Sequence, residues 1–155
     1  MNRTIPILAA LLPFASKAEV CFIPDITANW FEAQEICQSW GANLVTIPNN
    51  SANNAVVECI LASSTGGNNV MTNYWIGAND LARPGTLKWV SNGKIATFIP
   101  WGPGEPNNAG GSEHCVNIQP YPKDGGGHVW LWNDDGCYKK FKFICEQAVT
   151  CVQEP

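Results

Sequence analysis

The chain has few charged residues and few histidines. Of its 155 residues, 9 are Lys or Arg, 13 are Asp or Glu and 2 are His. Charged residues make up 14% and apolar residues 45%, which excludes a disordered polyelectrolyte and a charge-patterned coiled coil. Lys139, Lys140 and Lys142 form the one close basic cluster, which is too small for the basic surface that nucleic acid requires. We therefore expect no nucleic-acid partner.

The sequence also lacks an apolar run long enough to span a membrane, which takes roughly 20 residues. The apolar run over residues 5–14 is short and contains two prolines. It follows Arg3 and precedes the small residues of 15–18, which is the order of a secretory signal peptide. We predict a signal peptide over residues 1–18 and one mature domain over 19–155. The mature protein is then secreted and extracellular, with no membrane insertion.

Cysteine, in contrast, is abundant, with 7 residues in this short chain. In an exported protein that number indicates disulfide bonds, which stabilise domains with small cores. An N-glycosylation sequon, Asn49-Asn50-Ser51, fits the same extracellular compartment.

Predicted helices precede predicted strands along the chain. Asn29 and Glu32 have the spacing of a capping box, and Gly41 fits the position that ends the first helix. A second helix begins near Ser51. Five short apolar runs then predict strands at 74–77, 87–90, 115–118, 129–132 and 141–146. This order predicts an α+β domain with antiparallel sheets. Five tryptophans could serve as stacking platforms for sugars, but most of them are expected in the core: Trp30, Trp40, Trp75, Trp89 and Trp101.

A long loop rich in proline and glycine interrupts the strands at residues 99–111, and a loop of this length is usually functional. Oxygen-bearing side chains lie in it, at its end and after the next strand: Glu105, Asn107, Glu113, Asn133 and Asp134. Mixed carboxylate and amide oxygens suit Ca²⁺ and suit Zn²⁺ poorly. A cis bond before Pro106 would turn the carbonyls of the two flanking residues the same way. The sequence thus predicts a calcium site at this loop.

The chain resembles the C-type lectin domain family over its predicted core, residues 21–146. The resemblance rests on four motifs: Trp75-Ile76-Gly77, Glu105-Pro106-Asn107, Glu113-His114-Cys115-Val116 and Trp132-Asn133-Asp134. It implies a C-type lectin-like α+β fold, with two helices and antiparallel sheets around a calcium- and sugar-binding loop.

The resemblance also implies two disulfide bonds, Cys37–Cys145 and Cys115–Cys137. Three cysteines remain. If the first strand lies antiparallel to the last, its start approaches the end of the chain, so Cys21–Cys151 is the preferred third bond. Cys59 is then a buried unpaired thiol, although a bond to Cys21 or between two chains stays open.

Transferred to this sequence, the principal calcium ligands of the family correspond to Glu105, Asn107, Glu113, Asn133 and Asp134. The same residues would bind sugar: two vicinal hydroxyls of one ring contact Ca²⁺ while carboxylates accept their protons and amides donate to their lone pairs. In this family the Glu-Pro-Asn motif goes with mannose, fucose, glucose or N-acetylglucosamine, and Gln-Pro-Asp goes with galactose. We therefore expect a mannose-type lectin.

Some relatives bind an auxiliary calcium ion at positions that match Asp80, Pro84, Asn108, Glu113 and His114. Two of these five are carboxylates here, so the auxiliary site is expected to be absent or weak. His114 occupies a position that is often acidic in the family.

Three classes of function remain to be compared. The leading one is a secreted, Ca²⁺-dependent lectin with a role in innate recognition, and a homo-oligomer would raise its avidity. The alternative is a protein-binding module of the same fold, in which calcium is structural. An enzyme is disfavoured, because His114 and His128 accompany no nucleophile motif and the loop carboxylates serve the metal. No catalytic residues are expected.

Overall fold

The structure is a computed structural model that describes residues 18–63 and 69–149. Two α-helices and eight strands are described, in the order β1 (Ala18–Phe22), α1 (Trp30–Ser39), β2 (Asn43–Leu44), α2 (Asn50–Ala62), β3 (Tyr74–Asn79), β4 (Lys88–Trp89), β5 (Glu113–Pro122), β6 (His128–Gly136), β7 (Lys142–Phe143) and β8 (Cys145–Val149). A short 3-10 turn, Ala109–Gly111, precedes β5. None of the helices in these ranges is both long and apolar enough to cross a lipid bilayer. The predicted signal peptide lies outside the described residues except for Ala18.

Helix α1 begins where its capping box predicts. The Asn29 side chain accepts a hydrogen bond from the Glu32 amide at 2.9 Å, and the Glu32 side chain accepts one from the Asn29 amide at 3.1 Å. These bonds satisfy amide groups that a helix start leaves unpaired. Gly41 follows the helix with φ +70°, a conformation that glycine adopts at little cost.

Helix α2 begins one residue before the predicted position. Asn49, the sequon asparagine, is its N-cap, and its side-chain oxygen accepts a hydrogen bond from the Ala52 amide at 2.9 Å. Val56 and Ile60 are buried on the inner face of the helix. Buried Asn53 lies beside them and accepts a hydrogen bond from the Trp132 indole at 3.1 Å, which ties the helix to β6.

The strands form two sheets. A three-stranded antiparallel sheet has the order β1-β8-β2 and brings the two ends of the described chain together. The larger sheet has the order β4-β3-β5-β6, all antiparallel, and β7 pairs with β3 in parallel. The long ladder between β5 and β6 matters for function, because it places Asn117 opposite Asn133 and Val116 opposite Asp134.

Tryptophans dominate the core, as expected for large apolar side chains in a small domain. Five of them are less than a tenth exposed: Trp30, Trp75, Trp89, Trp130 and Trp132. The indole N–H groups of Trp30, Trp75 and Trp132 donate hydrogen bonds, as in the bond from Trp30 to the Ile76 carbonyl at 2.9 Å. Trp40 is an exception, since it is 48% exposed and its ring lies 5.7 Å from that of Phe22.

Three disulfide bonds brace these elements. Cys37–Cys145 joins α1 to β8, and Cys115–Cys137 joins β5 to the end of β6. These are the two pairs that the family resemblance implied.

The third bond joins Cys21 to Cys59, so the prediction of Cys21–Cys151 is wrong, and Cys59 is not an unpaired thiol. The two end strands are antiparallel as predicted, but their register separates the two cysteines. Cys21 lies opposite Glu146, and β8 continues from there toward Val149, which lies opposite Ala18. Strand β8 therefore runs away from Cys21, whereas α2 packs against β1 and brings Cys59 to it. Cys151 lies outside the described residues.

The Cys21–Cys59 bond provides a first stability prediction. It joins residues 38 apart in sequence, and closing a loop of that size stabilises a fold by about 2–4 kcal/mol. We expect the Cys21→Ser/Cys59→Ser variant to lose that much free energy of unfolding in guanidinium titrations. Calcium affinity should not change, because neither cysteine belongs to the candidate site. A fully stable double variant would show that this bond does not constrain the chain.

Candidate functional site

The long loop is anchored to β6 through backbone hydrogen bonds. Trp101 forms an isolated parallel β-bridge with Trp132. The Gly102 amide donates to the Trp132 carbonyl at 2.8 Å, and the Trp132 amide donates to the Pro100 carbonyl at 2.9 Å. Gly102 permits this close approach, since a Cβ atom there would lie 2.3 Å from the Tyr121 ring. The start of the loop is thus fixed against the strand that carries Asn133 and Asp134.

Within the loop, the Glu105 and Asn107 side chains lie on either side of a cis Glu105–Pro106 bond. The Asn107 backbone amide donates to Glu105 Oε2 at 3.1 Å, and the Asn107 side-chain amide donates to Glu105 Oε1 at 3.2 Å. The two predicted ligands therefore contact each other directly.

Asp134 connects this segment to β6. Its Oδ1 accepts a hydrogen bond from the Asn107 amide at 3.1 Å, and its Oδ2 accepts one from the Asn108 amide at 2.8 Å. The residue is 5% exposed, and charge-assisted bonds of this kind stabilise an otherwise costly buried carboxylate. Asp134 thus positions the loop as well as contributing charge.

Glu113 closes the site at the start of β5. Its Oε2 accepts a hydrogen bond from the Ala109 amide at 2.9 Å, and the same amide donates to Asn107 Oδ1 at 3.0 Å. The Glu113 amide in turn donates to Asn108 Oδ1 at 3.0 Å. One backbone amide therefore brings oxygens of Glu113 and Asn107 together.

Asn133 is the fifth predicted ligand, and its side-chain oxygen is buried without a hydrogen-bond partner in the described chain. A buried carbonyl oxygen that accepts nothing is costly. A cation at this position would satisfy it. The Oδ1 of Asn117, which lies opposite Asn133 in the β5–β6 ladder, is likewise buried without a partner. Asn133 directly precedes Asp134, whose carboxylate holds the Asn107 segment, so its unpartnered oxygen is the observation that fits a metal ligand.

The electrostatics of the site agree with that interpretation. Burial raises the pKa of the Glu105 carboxyl above its usual value, and the hydrogen bond and negative charge of Asp134 raise it further, with a smaller contribution from Glu113. Lys139, the lysine nearest in sequence to Asp134, pairs instead with Asp135. A cation would relieve this repulsion.

The carboxylates do not form a metal site by themselves. No group of three or more acidic, histidine or cysteine side chains within residues 18–63 and 69–149 is arranged to hold a metal ion. The predicted ligand set adds the amide oxygens of Asn107 and Asn133 to the carboxylates. Such a mixed oxygen set, in flexible geometry, is what Ca²⁺ accepts.

The raised pKa of Glu105 predicts a pH-dependent stability in the absence of calcium. A carboxyl whose pKa is raised on folding stabilises the fold below its ordinary pKa and loses that contribution as the pH rises through the raised pKa. We therefore expect Glu105→Gln to melt at a higher temperature than the wild type at pH 7 in EDTA. The difference should vanish toward pH 4.

With calcium added at pH 7, the wild type should instead melt at a higher temperature than Glu105→Gln, because calcium would bind the wild type more tightly. Glu35→Gln, at an exposed position of α1 outside the site, is the matched control and should behave as the wild type throughout. A Glu105→Gln variant that is less stable than the wild type at every pH in EDTA would contradict the proposed repulsion.

The residues matching the auxiliary calcium site line one cavity of about 280 Å³, which Asn107 and Asp134 of the candidate site also line: Asp80, Pro84, Asn108, Glu113 and His114. The Asp80 carboxylate is already engaged there. Its Oδ1 lies 2.9 Å from His114 Nδ1, and its Oδ2 accepts a hydrogen bond from the Gly85 amide at 2.8 Å. The pairing of Asp80 with His114 was not predicted, because residues so distant in sequence give no local signal.

The comparisons with known proteins agree with this architecture. Residues 26–147 match the family model of the lectin C-type domain. The C-type lectin mosGCTL-7 of Aedes aegypti is 31% identical over 155 residues, with 97% of this chain and 98% of that one covered. Salivary C-type lectin 2 of Aedes albopictus is 34% identical over 132 residues, covering 85% of each.

A solved structure shares the fold. The C-type lectin domain of murine dendritic cell inhibitory receptor 2, in complex with N-glycan, superposes with a TM-score of 0.66 and 28% identity, covering 88% of this chain and 94% of that one. Fold and comparisons together define a lectin domain, a carbohydrate-binding class of protein. The chain belongs to the C-type lectin family, whose members are generally binding proteins rather than enzymes. The predicted α+β, C-type lectin-like fold is confirmed.

Proposed function

We propose that this lectin binds mannose-type sugars through one Ca²⁺ ion held by Glu105, Asn107, Glu113, Asn133 and Asp134. The observation that carries the proposal is the buried, unpartnered oxygen of Asn133, the residue before Asp134. Bound Ca²⁺ would supply two coordination positions for vicinal hydroxyls of one sugar ring.

The side chains of the site have the hydrogen-bonding groups to contact a sugar as well as a calcium ion. The Glu105 and Glu113 carboxylates would accept hydrogen bonds from the sugar hydroxyl groups, and the Asn107 and Asn133 amides would donate hydrogen bonds to the hydroxyl oxygens. The existing bond from the Asn107 side-chain amide to Glu105 shows that a donor and an acceptor already lie side by side. A pair of hydroxyls inserted between them would meet one partner of each kind.

Mannose-type specificity is inferred from the order of these groups in Glu105-Pro106-Asn107. The expected ligands are glycans with terminal mannose, fucose, glucose or N-acetylglucosamine. The N-glycan complex of the murine receptor domain, at 28% identity, supports a glycan as the ligand class. One shallow site of this kind has an affinity on the order of millimolar, so clustering in a homo-oligomer would be needed for tight binding.

We also infer that the protein is secreted and extracellular. The N-terminal pattern of residues 1–18, the salivary relatives and the three disulfide bonds support it. A role in innate recognition of microbial glycans is consistent with a secreted lectin and rests on the family alone.

The proposal is tested by retention of the protein on mannose–agarose beside galactose–agarose. We expect calcium-dependent retention on mannose and elution by EDTA. Retention on neither resin, with calcium still stabilising the protein, would favour a protein-binding module in which calcium only stabilises the fold. Retention that survives EDTA would contradict the metal-dependent mechanism.

A further inference from the structure

The start of α2 carries a motif that the proposed lectin site does not use. Asn49-Asn50-Ser51 is an Asn-X-Ser sequence in which X is not proline, the pattern that N-linked glycosylation requires. It is the one Asn-X-Ser/Thr sequence in the predicted mature chain, residues 19–155. A second such sequence, Asn2-Arg3-Thr4, lies in the predicted signal peptide. In the mature chain, Asn49 is therefore the acceptor to consider.

The folded chain leaves this motif accessible. Asn49, Asn50 and Ser51 are all exposed, and they lie where the chain enters α2. A glycan is bulky and hydrophilic, so it needs an attachment point from which it extends into water. The lining of the cavity at the candidate site includes neither Asn49 nor any residue of α2. A glycan attached here would thus leave that cavity unchanged.

The two polar atoms of the Asn49 side chain have separate roles. Oδ1 accepts the hydrogen bond from the Ala52 amide at 2.9 Å that caps α2. Nδ2 donates to no group within residues 18–63 and 69–149. Glycosylation at Nδ2 would leave Oδ1 as a hydrogen-bond acceptor. One side chain can therefore cap the helix and carry a glycan at the same time.

The surface of α2 has little charge of its own. Glu58 is the only charged residue among the 13 residues of the helix, and Leu61 is 49% exposed. The surface of a soluble domain usually contains about 25–35% charged residues. A hydrophilic glycan at the start of α2 would add hydration to a surface on which the sequence places almost no charge.

We propose that Asn49 is N-glycosylated, with the glycan on Nδ2 while Oδ1 caps α2. The proposal rests on the secreted location inferred above, because the sugar donor is a lipid-linked oligosaccharide diphosphate of the secretory pathway. In the transfer, a bond forms between Nδ2 and the anomeric carbon of the first sugar. The bond from that carbon to the diphosphate breaks, the lipid diphosphate leaves, and Nδ2 gives up one proton. No oxidation or reduction takes place.

The test measures the intact mass of the protein that cultured animal cells secrete when they express the full chain. We expect an increase over the mass of the mature chain that corresponds to one N-linked glycan. Peptide N-glycosidase should remove this increase and convert Asn49 to aspartate, and peptide mapping locates that conversion. Neither measurement depends on calcium or on sugar binding, so the result is independent of the lectin site.

Asn50→Pro separates the glycan from the helix cap. Proline at the middle position blocks the transfer, yet proline is favoured at the first position of a helix. Asn49 already has the extended conformation that a residue before proline adopts, with φ −158° and ψ 175°. We expect this variant to be secreted without a glycan. Ser51→Ala should give the same mass, and Asn50→Gln is the matched control that should keep the glycan.

Two substitutions of Asn49 itself test the cap. Neither Asn49→Asp nor Asn49→Ala can be glycosylated, but an aspartate oxygen still caps a helix and an alanine does not. We therefore expect Asn49→Ala to melt about 2–4 °C below Asn49→Asp. Equal melting temperatures would overturn the assignment of Oδ1 as a stabilising cap.

The remaining outcomes distinguish the glycan from the secreted location. A secreted wild type with the unmodified mass would overturn the glycosylation and leave the secreted location standing. A glycan mass that survives Asn50→Pro and Asn49→Asp would overturn the assignment to Asn49. A chain that stays inside the cells with residues 1–18 attached and no glycan would overturn both.

Discussion

Asp134→Asn should abolish calcium-dependent sugar binding. Each oxygen of the buried Asp134 carboxylate accepts a backbone amide of the long loop, from Asn107 and Asn108. The substitution removes a negative charge from the ligand set. It also replaces one carboxylate oxygen by an NH₂ group, which would face the N–H of a backbone amide. Hydrogen bonds to charged groups contribute about 1.5–3 kcal/mol each, so the expected loss of calcium affinity is about 100-fold or more.

Asp135→Asn is the matched control for this experiment. Asp135 is also 5% exposed, but it pairs with Lys139 and lies outside the predicted ligand set. We expect this variant to lose stability through its broken ion pair and to keep the calcium affinity of the wild type, as measured by calorimetry. If Asp135→Asn weakened calcium binding as much as Asp134→Asn, the metal would have to lie elsewhere along β6.

Exchange of the loop motif should reverse sugar preference. In the Glu105→Gln/Asn107→Asp double variant the acceptor and the donor trade places while the net charge of the site stays constant. Calcium affinity should therefore fall little, whereas the two hydroxyls now meet partners in the opposite order. We expect the ratio of mannose to galactose affinity to change by about 100-fold in favour of galactose, since two hydrogen-bond pairs are inverted.

The single variants serve as controls for the double exchange. Glu105→Gln alone and Asn107→Asp alone alter the charge of the site and leave two like groups side by side, so each should bind both sugars weakly. Competition of methyl mannoside and methyl galactoside for the immobilised protein gives the ratio directly. A double variant that still prefers mannose would show that specificity resides outside Glu105-Pro106-Asn107.

Local signals predicted much of the fold. The capping box at Asn29 and Glu32 fixed the start of α1, and Gly41 marked its end, because both depend on neighbours within a few residues. The alternation of apolar runs located all of the longer strands of the larger sheet. The family resemblance added the two disulfide bonds of the core, which no local pattern specifies.

Features set by register or by distant partners were not predicted. The pairing of Cys21 depended on which residue of β8 lies opposite it, and composition carries no information on register. The sequence also did not show which tryptophan would be exposed: Trp40 is, because it follows α1 at its exposed C-terminal end.

The candidate site itself was predicted as a residue set but not as an arrangement. All five residues lie around the anchored loop and the adjoining strands. Hydrogen bonds join Glu105, Asn107 and Asp134 in the described chain, and Glu113 shares the Ala109 amide with Asn107. The unpartnered oxygen of Asn133 was beyond sequence reasoning, because it depends on burial and on the absence of a nearby donor.

The most direct test of the calcium-dependent lectin site is one calorimetric experiment on the oxidised protein. Ca²⁺ is titrated first, and methyl α-mannoside is then added with Ca²⁺ or with EDTA. Our account predicts one strong calcium site per chain and mannoside binding on the order of millimolar that disappears in EDTA. Mannoside binding of equal strength in EDTA, or calcium binding that Asp134→Asn leaves intact, would contradict it.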